Sequence, residues 1–223
     1  MASDHTLLFD ARAATRDFPG IDRYIRELLA ALLPDLRPDE RLHVILPEAM
    51  EIPCLDHTGV TIHRVDADLT TFRSHWQTLR LARSIRPQVI HAPYLLTPLR
   101  VPGKLVLTVH DTIPLSHPQY SSLATRLFWR LAGRRALRHC RKLIGVSDDA
   151  LKTCARFFGT RAVRRSVVIR HGVSLAFRPQ PKEAVEAVRR TYSLPERFLL
   201  YVGSDRPHKN VTTLLHALAL MDP

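Results

Sequence analysis

The fold of this 223-residue chain is decided by the stretch Lys104-Leu105-Val106-Leu107-Thr108-Val109-His110-Asp111. A short, almost continuous apolar run bounded by polar residues is typical of a strand that is buried on both faces, as in a parallel sheet. Residues 104–110 are therefore predicted to form an interior strand. We expect such a strand to hold the side chains of His110 and Asp111 rigidly at its carboxyl end.

Further strands are predicted on both sides of this one, and helical patterns separate them. The clearest helical pattern is a single apolar stripe made of Ile21, Tyr24, Ile25, Leu28, Leu29 and Leu32. Alternating strands and helices predict an α/β fold, with a Rossmann-like parallel sheet covered by helices on both faces. The other strands are predicted at residues 6–10, 43–47, 61–65, 89–92, 142–146 and 167–170.

The carboxyl ends of parallel strands lie on one edge of a sheet because the crossovers are right-handed, and ligands bind at that edge. Four polar residues are predicted to end strands there: Asp10, His91, His110 and Ser147. The pair Asp148-Asp149 is interpreted as the start of a helix after Ser147.

Composition is that of a globular protein, with 45% hydrophobic and 24% charged residues. No apolar run approaches the roughly 20 residues needed to span a bilayer, and the first residues lack the features of a signal peptide. These observations predict a cytoplasmic protein. Cys54, Cys140 and Cys154 are odd in number and lack metal-ligand spacing, so we expect reduced thiols.

The net charge of +12 is carried mostly by arginine. Such a charge favours anionic partners, and nucleic acid, an anionic membrane surface or a phosphorylated sugar donor would each satisfy it. Composition does not choose among these partners.

The C-terminal part is predicted to begin a second unit. Two prolines at 179 and 181 indicate a linker, so the domains are predicted at residues 1–175 and 176–223. Residues 198–202 form an apolar run predicted to be a buried parallel strand. The turn after it, with Gly203, leads through Asn210 into a helix. Such a turn and Lys209 could hold an anion. On local physics alone, an ordinary strand and helix with a solvated lysine is the favoured alternative.

Four motifs recur in the order and spacing of a known family. They are FPGIDRY (18–24), HDTIPL (110–115), IGVSD (144–148), and HGV (171–173) with FRP (177–179) leading to YVG (201–203). With these motifs the chain resembles retaining glycosyltransferases of family 4, the GT-B type built from two facing Rossmann-like domains. Within that family it looks most similar to bacterial mannosyltransferase-like members.

The resemblance implies retaining transfer of a hexosyl group, such as mannosyl, from a nucleotide sugar to a glycan or lipid-linked glycan. GDP-mannose is one such donor. The resemblance places His110 beside the transferred sugar, with Asp111 and Ser147 in support. It also assigns donor phosphates to a set of glycines and polar residues: Gly20, Gly203, Ser204, Arg206 and Lys209. No metal or cofactor is implied, because the family stabilises the departing phosphate with side-chain cations and helix dipoles.

The sequence also departs from the family. Asp22 stands where a glycine is common, and its carboxylate would repel a diphosphate unless it faces away at a helix start. Ser204 and His208 stand where arginine is frequent. Two glutamates of the second domain have no counterpart before Pro223. We therefore expect an N-terminal domain plus the start of the second domain, inactive as it stands.

Simpler interpretations remain open for single residues. His110 could be a structural histidine at a strand end, and Gly20 could be a loop glycine that needs a positive φ. The whole chain could also be a non-catalytic half-protein that binds a glycan or a partner subunit. A basic nucleic-acid or membrane module is a further alternative, although charge alone favours nucleic acid.

A segment that begins at Ser121 and ends at Arg141 has a helical pattern with two faces. Trp129, Gly133, Ala136 and Cys140 share the face predicted to pack on the sheet. The other face carries three leucines and continues into arginines: Leu123, Leu127, Leu131, Arg134 and Arg138. This pattern is typical of a helix on an anionic membrane surface, here the inner face. The alternative is a helix wedged between neighbours, with its arginines reaching solvent.

Overall fold

The computed structural model describes residues 5–65, 69, 71–97 and 101–221. In this part of the chain seven strands form one parallel sheet, in the order β3-β2-β1-β4-β5-β6-β7. The strands are β1 His5–Asp10, β2 Glu40–Pro47, β3 Val60–Val65, β4 Val89–Ala92, β5 Lys104–Val109, β6 Cys140–Gly145 and β7 Ser166–Val168. The predicted Rossmann-like α/β fold is confirmed.

Seven α-helices are described. They are α1 Pro19–Leu32, α2 Phe72–Ile85, α3 Ile113–Ser116, α4 Leu123–His139, α5 Asp148–Phe158, α6 Lys182–Thr191 and α7 Val211–Ala219. Short 3₁₀ helices occur at Leu33–Asp35, Pro53–Leu55, Pro118–Tyr120, Thr160–Val163 and Pro207–Lys209.

The bounds of β4 match the predicted ones, and those of the other strands differ from them by one to three residues. β2 begins at Glu40, three residues early, because Glu40 and Arg41 pair with β1 although they are polar. β5 ends at Val109, so His110 is the first residue beyond the strand. Such shifts are expected because hydrogen bonds to a neighbouring strand, rather than apolar character, decide where a strand stops.

Two apolar cores pack on the sheet. In β1 the side chain of Leu8 belongs to one core, with residues of α2, α4 and α5, while Phe9 belongs to the other core with α1. This alternation follows from the two-residue period of a strand. The predicted stripe of α1 is confirmed, because Ile25 and Leu29 are fully buried and its other members pack against the same core.

The sheet has a topological switch point between β1 and β4. The chain runs outward from β1 through β2 to β3, then returns to add β4 on the other side of β1. Helix crossovers on the two sides therefore diverge, which leaves a crevice at the carboxyl ends of β1 and β4. Ligands of open α/β sheets bind in such a crevice.

The chain divides into two compact units, residues 1–171 and residues 172–223. The second unit contains α6, which was not predicted, and α7, which begins after Asn210 as predicted. The predicted buried strand at residues 198–202 is wrong. These residues form no strand and are exposed, with Leu199, Leu200 and Val202 at 74%, 77% and 85%. A strand forms only where a neighbour accepts its backbone hydrogen bonds, and residues 172–221 include no strand that could do so.

Candidate functional site

Three histidines and a tyrosine meet at the carboxyl edge of the sheet. His91 lies near the end of β4, His110 directly follows β5, and His171 follows β7, while Tyr24 comes from α1. The ring centroids of His110 and His171 are 5.6 Å apart and nearly stacked. The Tyr24 ring is 4.9 Å from His110 and 5.1 Å from His171. These four residues are called the histidine cluster below.

A hydrogen-bonded chain fixes this cluster from beneath. The Tyr24 hydroxyl lies 3.3 Å from Thr108 Oγ1, and Thr108 Oγ1 in turn lies 2.9 Å from His91 Nε2. Thr108 is fully buried in β5, so it cannot exchange these partners for water. The Phe9 ring contacts His91 edge to face at 5.0 Å. The position of Tyr24, and with it the neighbouring rings, is therefore set by the sheet.

His110 is held as a neutral imidazole of one tautomer. Its Nε2 lies 3.1 Å from the Pro93 carbonyl oxygen, which can only accept, so Nε2 carries the proton. Burial and, to a smaller extent, nearby His171 lower the pKa of His110 to about 4, against the opposing effects of Pro93 and Asp111. Burial likewise lowers the pKa of His91 to about 4. At neutral pH, Nδ1 of His110 thus has a lone pair that can accept a hydrogen bond.

Asp111 and Ser147 have local structural partners. The Asp111 carboxylate accepts a hydrogen bond of 3.0 Å from the Ile113 N–H, which shapes the loop after His110. Ser147 caps α5 by accepting a bond of 3.0 Å from the Ala150 N–H, so the interpretation of Asp148-Asp149 as a helix start is confirmed. Both residues lie at the same edge as His110.

The loop after β1 is anchored by a buried ion pair. Arg12 Nε lies 2.8 Å from Asp10 Oδ1, and Arg12 Nη2 lies 2.7 Å from Asp10 Oδ2. Arg12 Nη1 also donates to Ser74 Oγ at 2.8 Å. Arg12 is 0% exposed and Asp10 is 5% exposed. Sequence reasoning missed Arg12, because an arginine two residues after an aspartate is ordinarily a surface residue.

Gly20 and Asp22 both lie in the first turn of α1. Gly20 does not have a positive φ, so the loop-glycine interpretation is wrong, and a Cβ at this position would meet nothing within 4 Å. The space beside Gly20 is therefore open. Asp22 bonds Arg26 Nε at 2.9 Å, so its carboxylate is neutralised on the helix rather than set against a ligand.

The other predicted phosphate residues lie together in the second unit. Gly203, Ser204, Arg206 and Lys209 occupy the loop that precedes α7, and all four are exposed. The Tyr201 hydroxyl donates to the Ser204 carbonyl oxygen at 3.0 Å, which bends the loop around Gly203. The backbone N–H of Lys209 donates to the Arg206 carbonyl oxygen at 2.8 Å, within the 3₁₀ turn.

His171 is the site residue that sequence reasoning named only as part of a motif. Its signal was its place after β7, on the edge where His110 also lies. Within the described ranges, no group of three or more histidine, cysteine or acidic residues is arranged to hold a metal ion. None of the helices described there is long and apolar enough to cross a bilayer.

The family follows from a match that spans the whole first unit from α1 onward. The family model described as Glycosyltransferase Family 4 matches residues 19–177. The chain belongs to this family. Membership in glycosyltransferase family 4 indicates glycosyl transfer in general, with a nucleotide sugar and a glycan acceptor as partners. A search of curated proteins found no match. The matched residues include Tyr24, His91, His110 and His171.

Proposed function

We propose that this family 4 protein takes part in retaining transfer of a hexosyl group, mannosyl in our assignment, from a nucleotide sugar such as GDP-mannose. The acceptor is a glycan or a lipid-linked glycan. The observation that carries this proposal is the neutral His110, held with one free ring nitrogen beside the switch point of the sheet. A cleft built to bind a sugar needs such fixed, uncharged hydrogen-bonding groups.

In this proposal His110 binds the sugar rather than donating a proton to the leaving group. With Nε2 committed to Pro93, its Nδ1 accepts a hydrogen bond from a sugar hydroxyl. A pKa of about 4 leaves almost none of the imidazole protonated at pH 7, which argues against general acid catalysis by this residue. Tyr24 and His171 keep the ring in place through their contacts.

We assign the donor phosphates to backbone N–H groups and cations. In the first unit, Gly20 leaves the first turn of α1 open to a ligand. In the second unit the loop with Gly203, Ser204, Arg206 and Lys209 presents positive charge at the start of α7. Helix N-termini and lysine or arginine side chains stabilise phosphate charge without a metal.

The test compares His110→Ala with His57→Ala in protein expressed from its complete gene. His57 is exposed and outside the histidine cluster, so its variant controls for loss of an imidazole. We expect His110→Ala to lower turnover with GDP-mannose about 100-fold while donor affinity is kept. The configuration of the product at the anomeric carbon, read by NMR, tests retention. Unchanged turnover in His110→Ala would reject the assigned role, and an inverted product would reject the retaining reaction.

A second observation favours attachment to an anionic membrane surface. On α4 the predicted sheet-facing residues are buried, whereas Leu123, Leu127 and Leu131 are exposed at 74%, 58% and 62%. In the described residues, these three leucines are therefore not wedged between neighbouring elements. We propose that this leucine stripe enters the interface of a membrane that carries a lipid-linked acceptor, while nearby arginines contact lipid phosphates.

Vesicle flotation tests this attachment. We expect the protein to float with vesicles that contain phosphatidylglycerol and to lose most of that binding in Leu127→Ser/Leu131→Ser. The control is Ile62→Ser, which removes an exposed apolar side chain of β3. Equal binding by the double variant and the control would contradict the role of the leucine stripe.

A further inference from the structure

A basic cavity lies at the opposite edge of the sheet from the histidine cluster. Its volume is 760 Å³, and five arginines line it: Arg134, Arg138, Arg161, Arg164 and Arg165. Its other lining side chains are apolar or nearly so, among them Leu137 and Phe158. We call this cavity the arginine pocket.

Three separate parts of the chain build the pocket. The last two turns of α4 supply Arg134 and Arg138, the 3₁₀ helix Thr160–Val163 supplies Arg161, and the segment that enters β7 supplies the remaining pair. Cys140, the first residue of β6, also lines it. The six residues of β6 span roughly 16 Å, which separates the pocket from the carboxyl edge.

In the described part of the chain, no acidic group neutralises these five positive charges. No aspartate or glutamate lines the pocket, and between Asp111 and Glu183 the sequence has only Asp148 and Asp149. Those two begin α5 at the carboxyl edge, where Asp148 pairs with Arg170 at 2.7 Å. Within the described residues, none of the five guanidinium groups forms an ion pair or a side-chain hydrogen bond. Burial raises the pKa of Cys140, which also lines the pocket, and the charge of nearby Arg165 opposes that rise.

The end of α4 explains only part of this arrangement. A helix C-terminus carries partial negative charge and favours a cation in its last turn, which accounts for Arg138. That effect falls off within one turn, so it does not account for Arg161, Arg164 or Arg165. These five exposed like charges repel each other, an effect that solvent screens only in part, and a bound anion would reduce that repulsion.

We propose that the arginine pocket binds a ligand carrying two or more phosphate groups. Guanidinium groups bind phosphate oxygens through two parallel hydrogen bonds, and several arginines around one cavity suit several phosphates. The volume lies within the range of small-molecule sites, and the apolar floor accommodates a ring or chain attached to the phosphates. The ligand is either a free polyphosphate compound or the headgroup of a phospholipid. This site is separate from the histidine cluster that we assign to sugar transfer.

The experiment uses the whole chain with two probes. Tripolyphosphate represents free phosphates, and vesicles of cardiolipin in phosphatidylcholine represent a lipid with two phosphates. Each probe is titrated against the wild type, the pocket variant Arg161→Gln/Arg164→Gln, and the control Arg80→Gln/Arg83→Gln. The control removes the same charge from exposed positions on α2.

We expect at least one probe to bind the wild type and the control alike and to bind the pocket variant at least tenfold more weakly. Tripolyphosphate binding alone identifies a free ligand. Binding to cardiolipin vesicles alone identifies a lipid headgroup as the ligand. To separate this binding from the leucine stripe, the comparison is repeated in the Leu127→Ser/Leu131→Ser background, where the pocket variant should still bind these vesicles more weakly than the control. Equal weakening in pocket variant and control overturns the proposal, as does the absence of binding to both probes.

A second measurement does not depend on the stability of any variant. Phenylglyoxal modifies exposed arginines, and mass spectrometry locates the modified positions. We expect whichever probe binds to protect Arg161 and Arg164 in the wild type while Arg80 and Arg83 continue to react. Unprotected pocket arginines at a saturating concentration of the probe overturn the proposal.

Discussion

His110 illustrates how burial and one hydrogen bond set the chemistry of a single side chain. Its pKa falls because the charged form loses hydration, and the carbonyl of Pro93 then selects the tautomer. The same burial couples this residue to the stability of the fold. An unfolded histidine titrates near pH 6.5, whereas His110 and His91 titrate at about pH 4 in the folded chain.

The first prediction concerns this linkage. Between pH 6.5 and 4 the unfolded state binds more protons than the folded state, so the free energy of unfolding falls as the pH falls. His91 and His110 should each contribute about 1–3 kcal/mol to this loss at the lower end of the window. Urea unfolding between pH 7 and 4.5 measures the slope. His110→Gln should flatten it, and His57→Gln, at an exposed site, should not; an unchanged slope in His110→Gln would contradict the linkage.

The second prediction concerns the buried pair of Asp10 and Arg12. Replacing Arg12 by leucine leaves a buried carboxylate without a charged partner, which should cost about 3–5 kcal/mol of unfolding free energy. The double variant Asp10→Leu/Arg12→Leu removes both charges and should recover most of that loss. Chemical denaturation of the wild type and the two variants checks this order. If Arg12→Leu unfolded like the wild type, the ion pair would not hold the loop after β1.

At the scale of elements, local sequence patterns correctly predicted the helices and strands whose apolar residues pack in the cores of the first unit. The stripe of α1 repeats with the period of a helix, and β5 is apolar enough to require burial on both faces. α6 was missed because the prolines at 179 and 181 suggested only a linker. Two features of the sequence do indicate this helix. Proline is common at helix starts, as Pro181 is here, and Val185 and Val188 repeat with helical spacing.

Residues 198–202 show that a local sequence pattern alone does not determine whether a strand forms. Their apolar run resembles β5, yet they form no strand, because a strand depends on a neighbour that local sequence does not report. Local sequence likewise could not predict the contacts within the histidine cluster. Its rings come from positions 24, 91, 110 and 171, and only the tertiary fold brings them together. Sequence could place each histidine at the edge but could not give the contacts between them.

The third prediction belongs to α5. Ser147→Ala removes the side chain that satisfies the Ala150 N–H and should destabilise the fold by about 1 kcal/mol. Ser147→Asp keeps an acceptor at the same position and should retain stability near that of the wild type. Thermal unfolding separates the two variants. Equal melting temperatures for alanine and aspartate would show that the cap contributes nothing.

At the scale of the whole molecule, the sheet separates two kinds of polar chemistry. Neutral His91 and His110 occupy the carboxyl edge of the first unit, and the five arginines of the arginine pocket occupy the amino edge. The net charge of +12 predicted anionic partners without saying where they would bind. The arginine pocket was not predicted, because its cations come from positions 134 to 165 and gather only when α4 and the segment before β7 meet.

The fourth prediction compares the two units by hydrogen exchange. Amides of β5 donate to neighbouring strands in a buried sheet, so they should exchange only when the first unit opens. Residues 198–202 are exposed and have no strand to bond, so their amides should exchange close to the rate of an unstructured chain. Mass spectrometry on peptides from both segments measures the difference. Equal protection of residues 198–202 and 105–109 would show a strand partner for the second segment.

The place of β1 in the sheet also affects how the chain is made. Leu8 pairs with His43 on one side and with Ile90 on the other, 82 positions further along the sequence. At about 5–20 residues per second, a ribosome needs roughly 4–16 s to supply that second partner. Throughout this interval β1, an interior strand of the finished sheet, is an apolar edge with open hydrogen-bonding groups, which is the form of β-structure most prone to pair with other chains. The growing polypeptide is therefore most exposed to aggregation before β4 emerges, and shielding by a chaperone matters most at that stage.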